Sequence, residues 1–187
     1  MATKSNNPVP AGMQTMTTQL FYNGNCKEAI EFYKKAFNAE QIGPAVLSPD
    51  GKLIWHAVLK IGDSLFMLND TLPGSYEQGP GRWCTAGVWL YVDDADKWYN
   101  QAIKSGATMI MEMSDAFWGD RMGKVKDPFG HCWDIATRVW DYTPEEMQQK
   151  LKSPNIWIRK RSKTMEERSQ AGQRAMVRGI CNLRATG

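Results

Sequence analysis

The chain is poor in the residues that hold metal ions and lacks the short patterns that mark common enzymes. Its 187 residues include two histidines, His56 and His131, too few for an imidazole-rich zinc or iron centre. The four cysteines, Cys26, Cys84, Cys132 and Cys181, lie far apart with no CxxC pair. That spacing argues against a disulfide frame or zinc knuckle and for reduced thiols in a cytoplasm. The longest apolar runs, such as Ser64–Leu68 and Val88–Val92, fall far short of the roughly 20 residues that a bilayer crossing needs. The polar, proline-containing stretch Met1–Met13 has no apolar core of a secretory signal. GxSxG, a Walker A loop and GxGxxG after a strand are all missing, so no serine hydrolase, P-loop or dinucleotide signature stands.

What is present is uneven. Residues 150–187 hold ten Lys/Arg against two Glu, while residues 1–149 hold 13 basic and 18 acidic groups. A mildly acidic body therefore carries a strongly basic tail, which the net charge of +3 hides. Eight tryptophans form the second outlier. Each offers a large apolar ring and one N–H donor, suited either to a core or to a pocket for a flat ligand.

The body reads as an internal repeat. Ala29, Phe32, Tyr33, Ala36 and Phe37 share the i, i+3, i+4, i+7, i+8 spacing of Ala95, Trp98, Tyr99, Ala102 and Ile103. Each set predicts one apolar stripe on a helix. Asn38 and Gly106 are the expected stops. A short strand precedes each helix, at Thr17–Tyr22 and Ala86–Val92. Three extended segments follow each: about Pro44–Leu47, Leu53–Lys60 and Ser64–Asn69 in the first half, and about Thr108–Met113, Met122–Lys126 and His131–Arg138 in the second. Pro49-Asp50-Gly51, Gly62-Asp63, Gly119-Asp120 and Asp127-Pro128-Phe129-Gly130 supply turns.

The expected organisation is an N-terminal stretch over 1–13, a βαβββ module over 14–70, a linker over 71–83, a second βαβββ module over 84–140, and a C-terminal helix with basic tail over 141–187. Thr143-Pro144-Glu145-Glu146 starts a helix that runs to about Leu151, with Thr as N-cap and Pro at its first position. Met165–Met176 predicts a further exposed helix. The class is α+β: two βαβββ modules in a curved mixed sheet with a central cleft, helices outside, plus the helical tail. A cleft built from strands holds its side chains rigidly.

Several segments together resemble a known family. Asn23–Phe37 is similar to its first strand–helix junction, His56–Ser64 to its third strand and hairpin, and Thr143–Glu146 to its closing helix. Phe117-Trp118-Gly119-Asp120-Arg121 and Asp127–Trp133 resemble its last two strands. The resemblance is to PhnB-like members of the vicinal-oxygen-chelate superfamily, the glyoxalase/bleomycin-resistance proteins, and covers about residues 14–151. It implies a homodimer whose enzymes hold a divalent ion through one side chain from the first and last strand of each module. There the ion acts as a Lewis acid on two neighbouring substrate oxygens.

Carried onto this sequence, the four ligand positions fall at Thr17, Asn69, Gly87 and Asp134. One is anionic, none is imidazole, and Gly87 has no side chain. Such a set does not replace the hydration of a zinc or nickel ion, so neither a metal site nor another cofactor is expected. His131 reads as a turn-closing residue and His56 as a partly buried strand residue. Asp134, on the inward strand face, is expected to meet solvent or a hydrogen bond, with a role in orienting a polar or cationic ligand or as a base left open.

The expected function is metal-free binding of a small aromatic or planar molecule, such as an antibiotic, by a cytoplasmic homodimer. The ligand-binding residues are Gln19, Phe21, His56, Asn69, Trp89, Tyr91, Trp118 and Asp134. The competing class is a metal-dependent lyase, isomerase or dioxygenase, which this ligand set disfavours. Arg159-Lys160-Arg161-Ser162-Lys163 leaves a nucleic-acid contact open. A solvated charge run is the commoner role of such a segment, and a membrane contact is not expected.

Overall fold

The computed structural model describes residues 3–152. The basic cluster Arg159–Lys163, Trp157 and the helix expected over Met165–Met176 lie outside the described residues. The described residues divide into two compact units, 3–113 with 121–137, and 114–120 with 138–152.

The first unit carries the repeat. Strand β1 (Gln19–Tyr22) leads into helix α1 (Cys26–Phe37), followed by β2 (Glu40–Gln41), β3 (Val46–Leu47), β4 (Ile54–Ile61) and β5 (Ser64–Asp70). The second round is β6 (Gly87–Tyr91), α2 (Ala95–Lys104), β7 (Thr108–Asp115), β8 (Asp120–Lys126) and β9 (Cys132–Arg138). The strands form two mixed sheets, β1-β5-β4-β2 with β3 also on β4, and β6-β9-β8-β7. In each sheet the module's first strand pairs parallel with its last, β1 with β5 and β6 with β9. The two-part α+β architecture expected from the repeat is what the chain forms.

Both helices bury the stripes that the spacing marked. On α1, Ala29, Phe32, Tyr33, Ala36 and Phe37 are buried, and Asn38 closes the helix in the left-handed region at φ 50°. On α2, Ala95, Tyr99 and Ala102 are buried, while Trp98 and Ile103 pack half-buried on the same core. Gly106 follows at φ 113°, a conformation that costs a side chain dearly.

Each helix start is tied to the strand that closes its module. The Asp70 carboxylate, at the end of β5, accepts from Cys26 N and Ile54 N, both at 2.9 Å. Thr137, near the end of β9, accepts from Ala95 N at 2.8 Å and donates to the Val92 carbonyl at 2.8 Å. Orphan amides of the first helical turns thus find partners across the sheet rather than in the local sequence alone. The early strand edge differs from the expected Pro44–Leu47 segment. Gly43 at φ 71° and Pro44 break it, so Glu40–Gln41 pairs with β4 separately from Val46–Leu47.

A buried carboxylate joins the two modules. Asp127 Oδ2 accepts from the Tyr33 hydroxyl of α1 at 2.6 Å and from Trp133 Nε1 of β9 at 3.0 Å. Its Oδ1 accepts from Phe129 N at 3.0 Å and His131 N at 2.9 Å, which fixes the turn between β8 and β9. The Tyr22 hydroxyl lies 2.7 Å from that of Tyr33, whose own proton goes to Asp127. Burial pushes both phenols far up. Trp133 packs tilted against Phe37 and Tyr33, with ring centres 4.6 Å and 5.1 Å away. His131 closes the same turn, buried, with its ring edge on Tyr22 and Nε2 3.2 Å from the Phe21 carbonyl. A carbonyl only accepts, so Nε2 carries the proton.

The second unit is held by its own polar set. Arg138 donates to the Trp118 carbonyl at 2.7 Å, to Asp120 at 3.3 Å and to Asp141 at 3.0 Å. Gly119, at φ 106°, leaves no room for a Cβ, which would sit 2.0 Å from the Trp140 carbonyl oxygen. Helix α3 (Pro144–Leu151) starts with a full capping box between Thr143 and Glu146. Among the described residues no helix is long and apolar enough to cross a membrane.

Two outcomes follow. Asp127→Asn turns one acceptor edge toward donors, and the urea midpoint should report a loss of about 2–4 kcal/mol; an unchanged midpoint contradicts the linking role. The His131 pKa is lowered first by burial, with Asp127 and the Phe21 carbonyl opposing it. The unfolded chain therefore takes up this proton more readily than the folded one. The contribution is whole above about 6.5, the ordinary His value, and is lost as pH falls through the depressed folded value. Urea midpoints should drop between about pH 7 and pH 5, and His131→Gln, which keeps a donor for Phe21, should flatten that slope.

Candidate functional site

Alternation along the strands sorts the eight expected ligand-binding residues by face. In the first sheet Leu20, Tyr22, Ala57, Leu59, Phe66 and Leu68 point to the core. Gln19, Phe21, His56 and Asn69 take the opposite face. The register pairs Phe21 with Asn69 and Gln19 with Met67. Gln19 Nε2 donates to Asn69 Oδ1 at 2.7 Å, so the two amides form one polar unit. His56 is exposed on β4, more open than its expected half-burial.

The second sheet gathers Trp89, Tyr91 and Asp134. Val88, Leu90, Trp133 and Ile135 pack toward the core, which turns Gly87, Trp89 and Tyr91 of β6 outward. The parallel register sets Trp89 beside Asp134, Gly87 beside Cys132 and Tyr91 beside Ala136. The Trp89 and Tyr91 rings lie 6.0 Å apart, 42% and 63% exposed. Asp134, by contrast, is 4% exposed. Trp118 lies outside both sheets' strands. It belongs to the second compact unit, where its Nε1 donates to Asp120 at 2.6 Å. The expected set thus resolves into four residues on one sheet, three on another and Trp118 in a different unit.

Lys124 completes the Asp134 environment and was not singled out from the sequence. Its Nζ lies 2.9 Å from Asp134 Oδ1. A carboxylate buried on a strand calls for a cation, and alternation of Met122, Lys124 and Lys126 along β8 places Lys124 on the same face. The neighbourhood of β8 and β9 makes that signal legible. Gly87 has a positive role. A Cβ there would lie 3.0 Å from Asp134 Oδ2, so the missing side chain makes room for the carboxylate.

Cys132 borders the same spot. Burial pushes its thiol up to about 12. A hydrogen bond with the Cys84 thiol adds to the shift, while the Lys124 ammonium pulls the other way. Cys84 is exposed, and its Sγ donates to the Ala86 carbonyl at 2.8 Å.

The metal positions implied by the resemblance do not fit an ion. Thr17 Oγ1 donates to the Gln14 carbonyl at 2.9 Å. Asn69 is engaged with Gln19 and, through Nδ2, with the Asp70 carbonyl at 3.1 Å. Gly87 supplies no donor, and Asp134 is neutralised by Lys124. A dication at Asp134 would have to meet an ammonium already in place. Among the described residues no three or more His, Cys, Asp or Glu converge as a metal cluster.

Residues 15–135 match the family model of the glyoxalase/bleomycin resistance protein/dioxygenase superfamily. The uncharacterized protein Mb0911c of Mycobacterium bovis is 40% identical over 130 residues, covering 67% of this chain and 84% of its own length. Protein YjdN of Escherichia coli is 26% identical over 143 residues, covering 64% and 92%. Among solved structures, TioX from Micromonospora sp. ML1 superposes with a TM-score of 0.53 at 25% identity, over 67% of this chain and 99% of that one. A PhnB protein from Bacillus cereus gives a TM-score of 0.54 at 16% identity, over 66% and 99%. With the repeat, the paired sheets and these likenesses in agreement, the chain belongs to the glyoxalase/bleomycin resistance protein/dioxygenase superfamily.

Proposed function

We propose that this chain is a binding protein that sequesters a small planar or aromatic molecule, such as an antibiotic, without a metal ion. The observation that carries the reading is the outer face of the second sheet. Two large rings, Trp89 and Tyr91, stay open to solvent beside the buried Asp134 and its half-buried partner Lys124. Water is a poor neighbour for that much aromatic surface, and a flat ligand stacked on Trp89 removes it. The ammonium of Lys124 carries three donors, of which Asp134 takes one. A polar edge of the ligand accepts another. The apolar floor with a few convergent polar groups is the ordinary design of a small-molecule site.

Gln19, Phe21, His56 and Asn69 supply the other wall in this reading. They lie on a different sheet, so a homodimer that sets the outer face of one chain's first sheet against the second sheet of its partner encloses the ligand. The family's name includes bleomycin resistance, which fits sequestration. The thiols of Cys26, Cys84 and Cys132 are free, which suits a cytoplasmic protein. A metal-dependent lyase, isomerase or dioxygenase finds no support in a site where the sole acid is already paired.

Equilibrium dialysis against a panel of planar antibiotics, read by tryptophan fluorescence, tests the reading. At least one member should quench the emission and bind. Trp89→Ala should weaken its binding about tenfold, near 1.4 kcal/mol, while Trp89→Phe keeps most of the affinity. Equal affinity in wild type and Trp89→Ala would remove the site from this face.

A further inference from the structure

Two thiols meet at the edge of the second sheet, and the binding reading uses neither. Cys132 opens β9 as the register partner of Gly87. Cys84 precedes Gly87 by three residues, and its hydrogen bond to the Ala86 carbonyl holds the sulfur beside the start of β6. The Cys84 thiol is near enough to add to the upward shift of the Cys132 thiol, as the Gly87–Cys132 register and the Cys84–Ala86 bond lead one to expect. They come from opposite ends of the second module, 48 positions apart, yet share one place. Cys84 is exposed to a solute, and Cys132 is half-buried behind it. An open sulfur with a second one in reach is the arrangement of an oxidisable pair, in which one thiol is attacked and the other resolves.

We propose that Cys84 and Cys132 form a modification site for hydroperoxides, which convert the pair reversibly to an intramolecular disulfide. The Cys84 thiolate attacks the outer peroxide oxygen and the O–O bond breaks. Cys84 becomes a sulfenic acid, and the leaving oxygen takes up a proton as water or an alcohol. The Cys132 sulfur then attacks the Cys84 sulfur, the S–O bond breaks, and hydroxide leaves with the Cys132 proton as water. The thiols lose two electrons and two protons, and the peroxide is reduced by the same two electrons. The bond ties residue 84 to β9 next to Gly87 and Lys124. A thiol pair of this kind in a reducing compartment is transient and signals oxidant rather than bracing the fold.

The test uses the full chain, reduced, freed of reductant and exposed to a few equivalents of hydrogen peroxide. The free thiol count should fall from four to two. A non-reduced tryptic map should show a Cys84–Cys132 linked peptide lighter by two hydrogens, which dithiothreitol reverses. Cys84→Ser and Cys132→Ser should each abolish that peptide, and Cys26→Ser should leave it. A sulfinic acid at Cys84 without the link overturns the proposal. So does a bridge to Cys181, or a bridge between chains revealed by mixing ordinary and heavy-isotope protein. None of these readouts depends on ligand binding, so the proposal stands or falls apart from the sequestration reading.

Discussion

The molecule depends on one buried carboxylate surrounded by donors. Asp127 receives a hydroxyl from α1, an indole N–H from β9 and two amides from the turn that joins β8 to β9. These donors come from both modules of the repeat, so one side chain satisfies polar groups on either side of the interface. An anion buried without partners is costly, and four hydrogen bonds offset that cost only in this arrangement. The consequence reaches the outer surface. Trp133 is fixed inward by its N–H on Asp127 and by Phe37 and Tyr33 against its ring. Alternation then forces Asp134 outward. Fold and candidate site are thus adjacent residues of one strand.

Asp134 is stable on that face because two neighbours make it so. Lys124 supplies the countercharge, and Gly87 supplies space. The same two features spoil a metal site. The ammonium occupies the electrostatic role that a dication would take, and the position where a ligand would project from β6 has no side chain. The exposed Trp89 and Tyr91 rings alongside are a surface suited to stacking. Family membership therefore fixes the scaffold, while the chemistry follows from these particular side chains.

Much of the scaffold was legible because it rests on local signals. The apolar stripes of α1 and α2, the left-handed Asn38 and the Thr143–Glu146 box each follow from spacing or from one residue's conformational preference. The repeat was legible because both modules use the same order of signals. What escaped was long-range. Asp70 caps α1 from 44 positions away, and Thr137 holds the start of α2 from 42. The Lys124–Asp134 pair needs the β8–β9 neighbourhood, which no local pattern states. Trp118 makes a hydrogen bond inside the second compact unit. Its indole donates to Asp120, the first residue of β8 and a member of the same compact unit. The two-residue strand Glu40–Gln41 is too short to carry any alternation of its own.

The proposed binding reading requires that the face around Trp89, Tyr91, Lys124 and Asp134 hold no dication. Elemental analysis of protein purified without chelator, then dialysed against zinc and nickel, tests this most directly. The account predicts well under one retained ion per chain, with no difference between wild type and Asp134→Asn. One tightly held ion per chain that Asp134→Asn releases would contradict it.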